Sequence, residues 1–166
     1  MNVRKATEKD FQKILTIYAR ARVFMSQTGN PTQWKNTYPT EEIVHTDIKN
    51  GYLHLLEDEE GIQGVFAFLP DGDPVYDYIE GAWLNDLPHA AIHRVASAGL
   101  KKGIIRACMQ YCGSLAPNLK IDTHEDNKIM QKQLEKEGFS PCGTIFLANG
   151  EKRIAYQRFL TYRKLR

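Results

Sequence analysis

The residues best placed to do chemistry lie between Ala91 and Ala116, AIHRVASAGLKKGIIRACMQYCGSLA. Ile92 to Ala96 is an apolar run with strand character. Ser97 to Gly103 is a turn that carries two lysines. From Gly103 onward Ile105, Cys108, Met109, Cys112 and Leu115 recur at helical spacing. A strand, a Gly/Lys turn and a helix N-terminus in that order suit a phosphate-bearing ligand. The first helical amides have no intrahelical acceptor, and the helix dipole puts partial positive charge in the same place. Lys101 and Lys102 add two mobile cations. The same residues also suit an ordinary strand–helix junction, with Gly103 relieving a tight turn and both lysines solvated.

Composition narrows the field. The chain has 166 residues, enough for one domain with a proper core. Hydrophobic residues make up 42% and charged residues 25%, a globular balance. The net charge of +2 makes no demand for nucleic acid. The basic end, Arg158 to Arg166, reads as a solvated tail. No apolar run approaches the ~20 residues that span a bilayer, and the charged start MNVRKATEKD is no secretory signal, so the expectation is a cytoplasmic protein without a membrane partner. Three cysteines fit a reducing compartment. Cys108 and Cys112, four apart on a helix, have no matching pair elsewhere and read as small core residues, so no metal is expected.

The elements that must position the turn follow from the chain in order. Asn2 to Ala6 is a strand. Thr7 with Asp10 starts a helix that runs to about Ser26. Residues 27–39 break every period yet hold Trp34 and Tyr38, which either anchor the loop or line a pocket. Thr40 caps a second helix that ends at Asn50-Gly51. Strands are expected at 52–57 and 62–69, joined by a polar turn. A third is expected at 75–83, with Tyr76, Tyr78 and Glu80 on one face. The central strand 90–97 and helix 103–116 follow. A strand at 119–123 then makes a parallel pair with the central one through a right-handed crossover. Asn127 leads into a helix with Ile129, Met130, Gln133 and Leu134 inward, closed by Gly138-Phe139. Strands at about 140–148 and 151–160 meet at Asn149-Gly150. The fold class is α/β in the α+β sense: a single domain over 1–166 with a mixed, mostly antiparallel sheet, splayed at one parallel pair and flanked by helices.

This order resembles the Gcn5-related N-acetyltransferase (GNAT) superfamily over nearly the whole chain. The family's diphosphate loop, Arg/Gln-x-x-Gly-x-Gly/Ala, aligns with Leu100-Lys101-Lys102-Gly103-Ile104-Ile105, where only the central glycine matches. The family's later element, an Asn, a helix and Gly-Phe, is matched by Asn127 and Gly138-Phe139. Leu100 replaces a polar residue, Ile105 a tiny one, and Leu134 stands where the family often keeps a tyrosine as the acid for the leaving thiolate.

The resemblance implies acetyl-CoA as co-substrate and a primary amine, on a small molecule or a peptide, as acceptor. Transfer would be a direct attack on the thioester, with no metal and with a homodimer possible. The pantetheine arm would lie along Val95, Ala96 and Ser97, entering where that strand splays from its parallel neighbour. An amide near Val95 would hold the oxyanion. Lys101, Lys102, Gly103, Ile104, Ile105, Arg106, Asn127 and Met130 complete the implied cofactor site. An alkylammonium must lose a proton before it attacks. His93, two residues before Val95, is the first candidate base. Glu80, taken to be on the neighbouring strand, is the second. His124 is the third, or it caps the next turn. Trp34, Tyr38, Tyr78 and Trp83 are candidate walls for the acceptor. The departures leave an alternative, a degenerate fold that binds acyl-CoA or a partner without catalysis.

Overall fold

A computed structural model describes residues 1–160. They fall into two compact units. The first holds Met1–Phe68 and His93–Cys108; the second holds Leu69–Ile92 and the chain from Met109 onward.

In the first unit, β1 (Asn2–Lys5), β2 (Leu53–Asp58) and β3 (Gly61–Leu69) are antiparallel and lead to β5 (Ala90–Ser97). Helix α1 (Phe11–Gln27) begins after Asp10, whose carboxylate accepts the Thr7 amide at 2.8 Å, as the capping pattern requires. Ile14, Ile17, Tyr18 and Ala21 form its buried stripe. Thr40 caps α2 (Glu41–Lys49) by accepting from the Ile43 amide at 3.2 Å. In the second unit the order runs β5, β6 (Asn118–Thr123), β8 (Lys152–Phe159), β7 (Ser140–Phe146) and β4 (Glu80–Gly81). With β5 common to both, the eight strands make one mixed sheet. It is antiparallel except for β5 and β6, which are registered in parallel at Ala90 with Leu119 and Ala91 with Lys120. Helix α3 (Ile104–Leu115) connects that parallel pair, and α4 (Lys128–Lys136) follows β6. The expected mixed sheet with one parallel pair is the observed one.

Four expectations need correction. The strand at 75–83 does not form: Pro74–Tyr76 is a 3-10 turn, capped by Asp73 accepting from the Val75 amide at 2.9 Å, and only Glu80–Gly81 is extended. Proline sets the helical φ at the first position of that turn, and this overrides the aromatic alternation. Tyr76 and Tyr78 therefore do not share a face: Tyr76 is buried and Tyr78 exposed. Second, β4 pairs with β7 at the sheet edge, so Glu80 is not on the strand beside β5. Third, Ile129 is exposed rather than inward; α4 buries Leu134. Fourth, Arg158 is not solvated. It is buried on β8, where it donates to the carbonyls of Glu137 and Met109, both at 2.9 Å, and stacks over Phe139. The rest of that tail, 161–166, lies outside the described residues.

Candidate acetyl-CoA site

The first unit carries the turn and the mouth of α3. The first α-helical backbone bond there is from the Ala107 amide to Gly103 O, 3.0 Å, so the amides of Ile104, Ile105 and Arg106 precede any intrahelical acceptor. Gly103 has φ +81, and a Cβ built on it would meet no atom within 4 Å. The space beside the Gly103 Cα is open. Ile104 turns into the core, 3% exposed, where it packs so closely on Gly64 that a Cβ there would stand 2.6 Å from its Cγ2. Ile105 is partly buried and Leu100 is 75% exposed, so neither leucine nor isoleucine fills the space over Gly103. These residues fit a diphosphate: exposed main-chain donors at a helix N-terminus with room beside them.

The lysines divide. Lys101 ion-pairs with Asp58 at the end of β2 and with Glu60 at 3.3 Å, so it is not the mobile cation expected. The Lys101 ammonium holds the Asp58 carboxyl below its ordinary range. Lys102 is exposed. Sequence reasoning missed a third cation, Arg20 of α1. It donates to Ser97 O at 3.2 Å, and its guanidinium fills the volume that a Cβ on Gly99 would need. Its one signal was Gly99 itself, a glycine with φ +80 beneath the guanidinium.

Strand β5 contains an unusual residue. Arg94 has φ +51, outside the extended region, so the two-residue alternation that would put His93 and Val95 on one face does not run through it. His93 is partly buried and Val95 buried. Arg94 makes a largely buried ion pair with Asp47. The Tyr38 hydroxyl accepts from Arg94 Nη1 at 3.1 Å, and Trp34 packs between Tyr38 and Tyr18 at 6.0 and 5.6 Å between ring centroids. Trp34 is 7% exposed and anchors its loop.

The second unit carries the remaining residues. His124 Nδ1 accepts from the Asp126 amide at 3.0 Å, which caps the turn before α4. Asn127 caps α4 itself by accepting from the Met130 amide at 3.1 Å. Trp83 belongs to a cluster with Tyr76, Lys120 and Asp122, and Tyr78 lies apart beside Phe146. Tyr76, Lys120 and Asp122 were not singled out from the sequence. A lysine at the centre of NLKIDT, between two buried aliphatic residues, was the available signal. Among the described residues no group of three or more His, Cys, Asp or Glu could hold a metal ion, and no helix is long and apolar enough to cross a membrane.

No family's sequence model matches the chain, and no curated protein sequence does. Solved structures do. An acetyltransferase of the GNAT family from Streptococcus agalactiae is 29% identical, with a TM-score of 0.87 over 96% of this chain and 95% of that one. A GNAT-family acetyltransferase from Listeria monocytogenes is 21% identical, with a TM-score of 0.70 over 96% and 94%. The Salmonella typhimurium protein yncA, solved with its cofactor acetyl-CoA, is 13% identical, with a TM-score of 0.63 over 97% and 94%. The last two likenesses show the shared fold; with the order of elements, the glycine mouth of α3 and the Asn127 to Phe139 element, the first places the chain in the GNAT superfamily of acetyltransferases.

Proposed function

We propose that the protein transfers an acetyl group from acetyl-CoA to a primary amine by direct attack. One observation carries this reading: the mouth of α3 offers amides that precede any intrahelical acceptor, with free space over Gly103 at the end of β5. Acetyl-CoA would supply the activated acetyl thioester. The amides of Ile104 to Arg106 would hold its diphosphate, with Lys102 and Arg20 adding positive charge. The edge of β5 at Val95 to Ser97 would take the amides of the arm, and the Val95 N–H would face the developing oxyanion. His93, near Val95 in the chain though not set on its face by regular alternation, would take the proton that the ammonium must lose before it attacks. Leu134 carries no ionisable group, so the acid for the leaving thiolate does not come from that position. A thiol of pKa ~8.5 leaves tolerably well without one.

Release of free thiol from acetyl-CoA in the presence of an amine panel tests the activity. His93→Ala should lower kcat by about 10²-fold or more while leaving the Kd for acetyl-CoA near that of the wild type. Full activity in that variant would remove His93 from the role.

A further inference from the structure

The turn between β5 and α3 lies wholly in the first unit. Two hydrogen bonds fix its start. The Ala98 amide donates to Gln63 O of β3 at 2.9 Å, and the Gly99 amide donates to Ser97 Oγ at 2.9 Å. Against this fixed backbone lies Arg20 of α1, in the same unit. Its Nη1 donates to Ser97 O at 3.2 Å. Its Cζ would stand 1.7 Å from a Cβ on Gly99, so the guanidinium occupies a seat that exists only because residue 99 has no side chain. The Phe24 ring, one helical turn along α1, borders the same group, with its centroid 5.6 Å from Cζ.

The seat leaves the charge unanswered. Among the described residues no carboxylate pairs with Arg20, and one carbonyl occupies one of its five donors. Ordering a long side chain costs rotamer entropy, which a single exposed hydrogen bond to a carbonyl offsets poorly. Lys101, on the same turn, is the opposite case: Asp58 and Glu60 already neutralise it. Leu100 lies between Gly99 and Lys101, is 75% exposed and has no side-chain donor. The loop that this turn resembles carries an arginine or a glutamine at that position. This chain therefore lacks the polar side chain where the pattern has it, and a guanidinium from another element is seated on the adjoining residue.

We propose that Arg20 is the diphosphate-binding arginine of this chain, supplied by α1 in place of the side chain that Leu100 replaces. This rests on the transferase reading of the α3 mouth and adds a residue to that site. The planar fork of a guanidinium matches two phosphate oxygens, and its hydrogen bonds to them are charge-assisted. Gly99 is the positioning residue, because its bare backbone makes the seat.

The test is the Kd for acetyl-CoA, by isothermal titration at low salt, of wild type, Arg20→Gln, and Arg20→Gln combined with Leu100→Arg. Arg20→Gln should raise Kd about 10- to 100-fold, the worth of hydrogen bonds to a charged group. Arg20 is exposed, so the ligand-free melting temperature should stay near that of the wild type. Leu100→Arg in that background should recover most of the lost affinity. An unchanged Kd in Arg20→Gln would overturn the proposal. So would a loss that Leu100→Arg does not recover, which would assign Arg20 to shaping the turn. Should Arg20→Gln fail to fold, Arg20→Lys carries the same test: it keeps the charge without the fork, and should bind severalfold more weakly unless Leu100→Arg is added. If acetyl-CoA binds wild type and Arg20→Gln alike but not Gly103→Val, the role of Arg20 fails and the mouth of α3 stands as the site. If the wild type does not bind acetyl-CoA, the transferase reading fails and takes this one with it.

Discussion

The guanidinium of Arg94 meets the carboxylate of Asp47 at two points, Nε to Oδ2 at 2.6 Å and Nη2 to Oδ1 at 2.9 Å. Both side chains are largely buried, at 13% and 6% exposed. The third nitrogen, Nη1, reaches the Tyr38 hydroxyl, and the Arg94 carbonyl accepts from the Tyr18 hydroxyl at 2.8 Å. Helix α1, helix α2 and the loop between them thus converge on the one non-glycine residue of β5 that leaves the extended region. A left-handed backbone costs about 1–2 kcal/mol for such a residue, so the kink persists because its side chain and carbonyl are held. Asp47→Ala should leave the guanidinium buried without a counter-charge and cost about 3–5 kcal/mol in urea unfolding. A loss below about 1 kcal/mol, the range of an exposed pair, would show that the kink does not depend on Asp47.

The pairing of Lys101 has a consequence for ligand affinity. Asp58 and Glu60 neutralise a cation that otherwise adds to the field at the mouth of α3. Asp58→Asn should therefore tighten acetyl-CoA binding by about two- to fivefold at low salt, with the gain fading as salt rises. Lys102→Ala should weaken binding by a similar factor. Isothermal titration at two ionic strengths reads both. Weaker binding in Asp58→Asn would mean instead that Asp58 holds Lys101 in place for the ligand.

Gly103→Ala separates stability from binding. The new Cβ meets no protein atom, so the cost to folding is that of the left-handed backbone alone, about 1–2 kcal/mol. The same Cβ stands in the space proposed for the diphosphate. The Kd for acetyl-CoA should rise about tenfold or more, the worth of one hydrogen bond to a charged group. A folding cost with unchanged affinity would place the ligand elsewhere.

Much of the frame was legible because local chemistry and fold agree. Thr40, Asn127 and Gly138 sit where helix-end rules put them, and Gly138 adopts φ +87. The Asn149-Gly150 signal found the last hairpin but not its turn type. Leu147 accepts from the Gly150 amide at 2.8 Å and only Gly150 has positive φ, which gives a longer loop than the two-residue turn expected. Residues 75–83 failed because Pro74 and Asp73 make a turn that overrides the period of their aromatic residues. The site was less legible. Lys101 was read as free because the carboxylates that claim it lie more than 40 residues away in sequence. The Arg94 kink follows from contacts with Asp47, Tyr38 and Tyr18, none of which is local. Lys120 was passed over because a lysine in a strand usually points to water, and only tertiary packing puts Trp83 over it.

Acid should destabilise the protein through its buried histidines. His54 is 3% exposed, donates Nδ1–H to Tyr52 O at 2.8 Å and stacks on Phe66 at 5.2 Å. Burial pushes its imidazole below the ordinary 6.5. The unfolded chain then binds the proton more readily than the folded one. Stability is full above pH 6.5 and is lost as pH falls from there through the lowered folded value, at up to about 1.4 kcal/mol per pH unit. Burial and the Lys120 charge shift His89 the same way. Denaturant midpoints between pH 7 and 5 should fall, and His54→Phe should flatten the slope. An identical slope in that variant would acquit His54.

Thermal unfolding of the wild type during titration with acetyl-CoA bears most directly on the open helix mouth. At about 100 times Kd the ligand should add roughly 2.7 kcal/mol of stability. The same concentration should give Gly103→Val little or none of that gain. No shift in the wild type, or an equal shift in Gly103→Val, would contradict the assignment of the Gly103 mouth as the acetyl-CoA site.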